Sequence, residues 1–384
     1  MSNWDYGILD HAVKKASSNI SINKVQDDEG SYPLYGAKGL VKTISFYQQE
    51  KDYIAVIKDG AGIGRISKHP KESSIVATMQ YIIPKEEYDI DFIYYFLESI
   101  DLKKYRNGST IPHIYYRDYK NEAFPFVKID EQKQIVEILD TAFEALEKAK
   151  INLEKNLKNT KELFDSKLNE IFSQKGEGWE ERKLEDLSDS KKAIVSGPFG
   201  SNLKVADYRD SGVPILRLQN VGKGKFIEKD IKYIEKEKAE ELKSHSFVVG
   251  DIVLAKLGIP IGKTCIIPET FEDGIILADI VRIRPDKKIV NYKYLEYFLN
   301  TNLSVSQLTK EISGATRPRV NLSNVRNIVA PILSLKVQNN IVEEINILEN
   351  KTKQLEQKYQ QKLDNLEELK KSLLQKAFSG ELTK

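Results

Sequence analysis

The chain has little of what small catalytic or metal sites are built from. A single cysteine, Cys265, among 384 residues excludes a disulfide framework. Four histidines, His11, His69, His113 and His245, lie scattered, and no His-Glu-x-x-His or Cys-x-x-Cys spacing exists, which leaves little for a metal cage. No Asn/Asp-Pro-Pro-Tyr/Phe run is present, so the signature of an amino-methyltransferase site is absent, and nothing points to a Ser-His-Asp triad. Long apolar runs are missing too: none approaches the roughly 18 residues that span a bilayer. The first fifteen residues carry Asp5 and Asp10 and no apolar signal core, so the expectation is a cytoplasmic protein. Net charge is nearly nil, 59 basic against 57 acidic residues, which excludes a histone-like or acidic-tail protein. What remains is an ordinary globular composition, 40% apolar, 30% charged and 9% aromatic, at a length suited to two or three domains.

The chain reads as one unit written twice. FPFVKIDEQKQIVE (124–137) returns as APILSLKVQNNIVE (330–343), pairing Pro125 with Pro331 and Gln132 with Gln338 at an offset of 206. Phe172-Ser173 and Phe378-Ser379 keep that offset, as do Gly108, Thr110 and Pro112 with Gly314, Thr316 and Pro318. Upstream the register slips, as loop insertions would make it. Tyr95-Phe96-Leu97 matches Tyr297-Phe298-Leu299 at 202, Gly60 and Gly64 match Gly258 and Gly262 at 198, and Trp4 and Leu9 match Trp179 and Leu184 at 175.

The constant segments predict helices. Ile135, Leu139, Ala142, Leu146, Ala149 and Leu153 step by four and three, a heptad seam; Ile341, Ile345, Leu348, Thr352, Leu355 and Tyr359 repeat it, and Leu363, Leu366, Leu373 and Ala377 carry it on. Asp130 is the expected N-cap of the first helix; Gly176 and Gly178 end it, and Gly380 ends the second. A helix over roughly 130–172 is about 65 Å long. The simplest arrangement packs the two seams antiparallel within one chain, with a pseudo-twofold axis; a dimerisation helix is the alternative.

The expected division is a head over 1–128, a helical spacer over 129–178, a second head over 179–329 and a final helical spacer over 330–384. Strands are expected at 51–58, 74–84, 250–255 and 275–285, and short helices at 91–100 and 292–301. The fold class is α/β (α+β) for each head, with a mostly antiparallel twisted sheet. Net charges of 0, −3, +4 and +1 for the four segments make only the second head basic.

The nearest catalytic pattern is Gly258-Ile-Pro-Ile-Gly262-Lys263-Thr264, which has three residues between its glycines where a phosphate loop needs four; its counterpart, Gly60 to Arg65, lacks the Lys-Thr pair. The better reading is a Gly turn placing one cation, Arg65 or Lys263, on each head, with a plain hairpin turn as the alternative. Lys58 and Lys256 join these as candidate DNA contacts. Three constellations carry residue types that contact phosphates and base edges. The first is the run from Ser196 to Lys204, with Phe199, Ser201 and Asn202; a polar turn is its plainer reading. The second is Arg217-Leu-Gln219-Asn220, where strand alternation puts Arg217 and Gln219 on one face; a salt-bridged sheet face is the alternative. The third is the paired loop at Ser109, Thr110, His113, Tyr115 and Arg117 and at Thr316, Arg317 and Arg319, a shared frame with exchanged tips; a turn shaped by its Gly and Pro on the way to the long helix is the alternative.

In order and in duplicate, these features resemble the specificity subunit of type I restriction–modification systems. The residues carrying the resemblance are Trp179-x4-Leu184, Ser196 to Leu203, Gly212 to Ile215, Leu257 to Lys263, Gly314 to Thr316 and Pro331-x6-Gln338. The first half keeps Trp4, Tyr32 to Gly36 and the Gly108 loop but lacks the Ser-Gly-Pro-Phe-Gly run. The resemblance implies two target recognition domains, each reading one half of a bipartite double-stranded DNA site, with helices that set the gap. It implies two methylation and two restriction subunits as partners, and no catalysis in this chain. S-adenosylmethionine, ATP and Mg would belong to those partners. A two-headed protein-interaction adaptor and a nucleotide-dependent enzyme are the other classes of function considered.

Overall fold

The computed structural model describes residues 4–108, 110–174, 176, 178–198, 202–310 and 319–382. It divides into two compact units, Met1–Lys155 with Tyr359–Lys384, and Asn156–Lys358. Each unit holds a head, the beginning of the long helix that leaves it, and the end of the other long helix. Those helices run Ile129–Ser173 and Leu335–Phe378. Their Lys-, Glu- and Leu-rich sequence, with no internal proline, favours helix throughout.

The unit boundaries follow from packing. In the first unit Leu374, Ala377 and Phe378 share a core with Ile135 and Leu139, and further along Lys150 pairs with Glu367 at 3.2 Å. As one segment advances the other recedes, so within this unit they run antiparallel. Phe378 lies on Phe92 and Phe96, with ring centroids 5.2 and 5.4 Å away. In the second unit Phe172 lies on Tyr294 and Phe298, at 5.1 and 5.6 Å. Burying such a ring contributes on the order of 2–3 kcal/mol. The repeated Phe-Ser is therefore the point where each long helix ends on a head. The seam positions are buried or half-buried except Leu355, which is 39% exposed.

Each head is clamped at its base by two short strands, Asp5–Ile8 with Ala123–Phe126 and Glu180–Lys183 with Val329–Ile332. Their registers, Asp5↔Phe126 and Glu180↔Ile332, reproduce the offsets of 175 and 206. Above the clamp each head carries two sheets rather than one. A four-stranded antiparallel sheet centres on Tyr53–Ile57 or Ile252–Ala255. A second sheet contains Tyr32–Gly36 or Val213–Leu216, each with one parallel neighbour.

The expected strands 74–84 and 275–285 are each two strands. Ser74–Ile75 and Met79–Pro84 belong to different sheets, as do Gly274–Ile276 and Ile280–Ile283. Tight turns closed by Met79 N–H to Val76 O (3.0 Å) and Ile280 N–H to Leu277 O (2.9 Å) divide them. Both pieces are largely buried, so no exposed stretch marks the break. Asp130 is not an N-cap: the helix begins at Ile129, and Asp130 lies in its first turn, where a carboxylate favours the helix dipole. The second long helix ends as expected. Gly380 has φ +74°, and Glu381 N–H reaches back to Lys376 O at 3.0 Å, the bond of a Schellman stop.

Candidate nucleic-acid interface

In both heads the strand at the middle of the antiparallel sheet, Tyr53–Ile57 or Ile252–Ala255, is followed directly by a lysine held by the same backbone frame. Lys58 N–H donates to Thr78 O at 3.1 Å, and its carbonyl accepts from Ile114 N–H at 2.8 Å. Lys256 N–H donates to Asp279 O at 2.8 Å, and its carbonyl accepts from Val320 N–H at 3.0 Å. The frame brings residues 113 and 319 beside the lysine.

In the first head His113 Nδ1 is 2.7 Å from Asp59 Oδ1, and Lys58 Nζ is 3.9 Å from the other oxygen. Reciprocal backbone bonds of 2.8 Å tie His113 to Asn107, and Gly60 N–H donates to Pro112 O at 2.9 Å, so the glycine turn and the loop meet. Gly108, at φ +84°, leaves no space for a side chain: an added Cβ would lie 2.5 Å from Ile111 O. Tyr115 stacks near His113, and the Arg117 guanidinium lies 4.7 Å above the Tyr115 ring. Tyr115, Arg117 and Thr110 are exposed. Ser109 lies outside the described residues.

In the second head Ser196, Lys256 and Arg319 converge on a cavity of about 810 Å³ that Lys192, His245 and Val320 also line. Lys256 Nζ donates to Ser196 Oγ at 2.6 Å, Ser196 Oγ donates to Ala278 O at 3.2 Å, and Arg319 Nη2 pairs with Asp279 Oδ1 at 2.6 Å. Lys256 is only 8% exposed. Burial holds its pKa below the usual lysine value, the Arg319 charge adds to that, and Asp279 opposes it. A half-enclosed cavity with three cations and apolar walls suits a phosphate or the edge of a base. Asn202 and Lys204 are exposed; Phe199, Ser201, Thr316 and Arg317 lie outside the described residues.

The second constellation is rearranged. The strand stops at Leu216, and Arg217 precedes a short 3-10 turn over Leu218–Asn220. Arg217 and Gln219 do converge, but on Asp230, at 2.8 and 3.1 Å. Hydrogen bonds from Arg217 and Gln219 hold the Asp230 carboxyl below its usual range. The salt-bridged reading describes this pair. Asn220 is a correction: fully buried, it donates to Ile227 O (2.9 Å) and Lys229 O (3.0 Å) and accepts from Arg217 N–H (3.0 Å). Its amide is spent on shaping the loop and reaches no base edge.

The glycine motifs are hairpin turns between Tyr53–Ile57 and Ile66–His69 and between Ile252–Ala255 and Thr264–Ile266. Thr264 is fully buried, with its hydroxyl donating to Gly262 O at 2.9 Å, so it offers nothing to a bound nucleotide. Lys263 is half-buried; Arg65 is exposed and reaches Ala37 O at 3.3 Å. Sequence reasoning missed Asp59, Asp279, Lys192 and His245. Nothing local marks the first two, because their partners lie 54 and 40 residues away. Among the described residues no group of three or more His, Cys, Asp or Glu could hold a metal ion, and no helix is long and apolar enough to cross a membrane.

Comparison with known proteins places this geometry. The family described as type I restriction modification DNA specificity domain matches residues 1–155 and 176–365. The chain is 26% identical over 356 residues to the type I restriction enzyme MjaVIII specificity subunit of Methanocaldococcus jannaschii, covering 86% of this chain and 79% of that one. It is 24% identical over 327 residues to the EcoBI specificity subunit of Escherichia coli, covering 78% and 67%. Two solved structures share the fold. One, from work on complex assembly and conformational transition of the type I R-M system, aligns at TM-score 0.75 and 16% identity over 99% of this chain and 98% of that one. The other, the HsdS subunit of Thermoanaerobacter tengcongensis, aligns at TM-score 0.56 and 15% identity over 99% and 97%. With both halves matched, the chain belongs to the type I restriction–modification DNA specificity family, as a specificity subunit.

Proposed function

We propose that this chain reads a bipartite double-stranded DNA target, one half-site per head, and lends that specificity to partners that do the chemistry. The observation that carries the reading is the repeated frame: Lys58 with His113, and Lys256 with Arg319, stand at equivalent places in the two heads, with the lysine kept and its neighbour exchanged. A common scaffold with different tips suits two readers of different sequences. Phosphate contacts by the lysines would position each head, and the neighbouring residues would read base edges. The long helices would set the gap between half-sites and dock two methylation and two restriction subunits. S-adenosylmethionine, ATP and Mg would be held by those subunits, and the complex would act in the cytoplasm.

The test is to lengthen both helices by four residues, about 6 Å each, and map the recognised sequence of the assembled complex. The expected outcome is a changed gap between unchanged half-sites. An unchanged gap overturns the spacer role.

A further inference from the structure

The carboxylates beside His113 and Arg319 come from different places in the two heads. Asp59 follows Lys58 directly, and its counterpart by the repeat is Leu257. Asp279 stands where the first head has Thr78, since each supplies the carbonyl that accepts from the lysine N–H. A scaffold ion pair inherited by both heads would keep one position for the acid. Here the acid has been supplied separately, yet each time it meets the residue beside the lysine, at 2.7 Å on His113 and 2.6 Å on Arg319.

The consequence for hydrogen bonding differs between the heads. An ionised carboxylate only accepts, so Asp59 requires the proton on His113 Nδ1. In the neutral ring Nε2 is then a lone-pair acceptor. Among the described residues no hydrogen bond engages Nε2, and the side chain is 36% exposed. Arg319 only donates. Its Nη2 is held by Asp279, and the rest of the fork remains on a side chain 57% exposed. In the major groove adenine N6 and cytosine N4 are donors, while guanine N7 and O6 are acceptors.

We propose that Asp59 and Asp279 are positioning residues: Asp59 fixes what His113 asks of a base, and Asp279 holds in place Arg319, whose demand is fixed by its own chemistry. With its ring neutral, His113 Nε2 accepts from an exocyclic amino group, of adenine or cytosine, at one position of the half-site read by the first head. Arg319 donates to guanine at one position of the other half-site. This rests on the functional reading above and adds the chemistry of one base in each half.

The experiment maps N6-methyladenine in genomes carrying the assembled complex, wild type or variant, and reads base frequencies at each motif position. Asp59→Asn presents both a donor and an acceptor to Nδ1, so both tautomers of His113 become available. One position of the first head's half-site is expected to lose its preference for adenine or cytosine at least tenfold, with every other position unchanged. His113→Arg keeps a partner for Asp59 and replaces the acceptor by donors; guanine is expected at that same position. Asp279→Asn is expected to keep guanine opposite Arg319 and lower only the extent of methylation, because arginine has no second tautomer to offer. Unchanged bases in both first-head variants, or a loss spread evenly over the motif, overturn the proposal. So does a new base with Asp279→Asn. Where Asp59→Asn fails to assemble, His113→Arg decides. If the wild-type complex yields no motif, the functional reading itself fails, which is a separate outcome.

Discussion

Gln132 and Gln338 make the same three hydrogen bonds in the two heads. Gln132 Oε1 accepts from Asp89 N–H at 2.8 Å, and its Nε2 donates to Glu87 O and Val127 O at 3.1 and 2.9 Å. Gln338 Oε1 accepts from Asn291 N–H at 2.8 Å, and its Nε2 donates to Ile289 O and Leu333 O at 2.9 and 2.8 Å. Asp89 and Asn291 in turn cap the short helices Ile90–Ser99 and Tyr292–Leu299. One fully buried amide thus locks the start of each long helix to the cap of a head helix.

Gln338→Ala should therefore destabilise the second unit by about 2–3 kcal/mol, because it strands buried backbone groups. Denaturant unfolding followed by a probe in that unit checks it. A loss below 0.5 kcal/mol, within what an ordinary surface change costs, contradicts the lock.

Asn220→Ala should destabilise the loop by about 1–3 kcal/mol, since its partners Ile227 O and Lys229 O are left without the amide. It should not relax any base of the recognised sequence. Protease susceptibility of the loop and the recognised motif are the two readouts. A changed base with unchanged protease susceptibility would restore Asn220 to the base-reading set.

Lys256 carries a pH dependence of definite sign. Its folded pKa lies below the usual 10.5, chiefly because burial disfavours the charged form. As pH rises through the folded pKa the native state sheds this proton before the unfolded chain does, so stability rises between that value and 10.5. Over the same interval the cation that would meet a phosphate disappears. DNA affinity of the complex should therefore fall on the alkaline side, and Lys256→Arg should flatten that fall, because a guanidinium stays charged. Dissociation constants from pH 7 to 10 for both proteins check this; parallel curves contradict it.

The repeat was legible because packing at the ends of the long helices uses large, distinctive residues. Phe172 and Phe378, Tyr95 and Tyr297, and Gln132 and Gln338 each fix a contact that both heads make. Tyr297 donates to Asn346 Oδ1 at 2.7 Å, and Tyr95 donates to Asp140, 206 residues before Asn346. The two broken strands were illegible because a tight turn between two buried pieces leaves the run looking continuous. Asn220 looked like a reader because its residue type suits a base edge, and only the fold shows its amide turned inward. Asp59 and Asp279 were invisible because each meets its partner across the head, with no signal in the neighbouring sequence.

The central claim is tested most directly by expressing this chain with a type I methylation subunit in a methylation-free host and mapping N6-methyladenine across the genome. The account predicts a motif of two specified halves separated by a fixed unspecified gap, present only when both chains are present. A single uninterrupted motif, or no new methylation from an assembled complex, would contradict it.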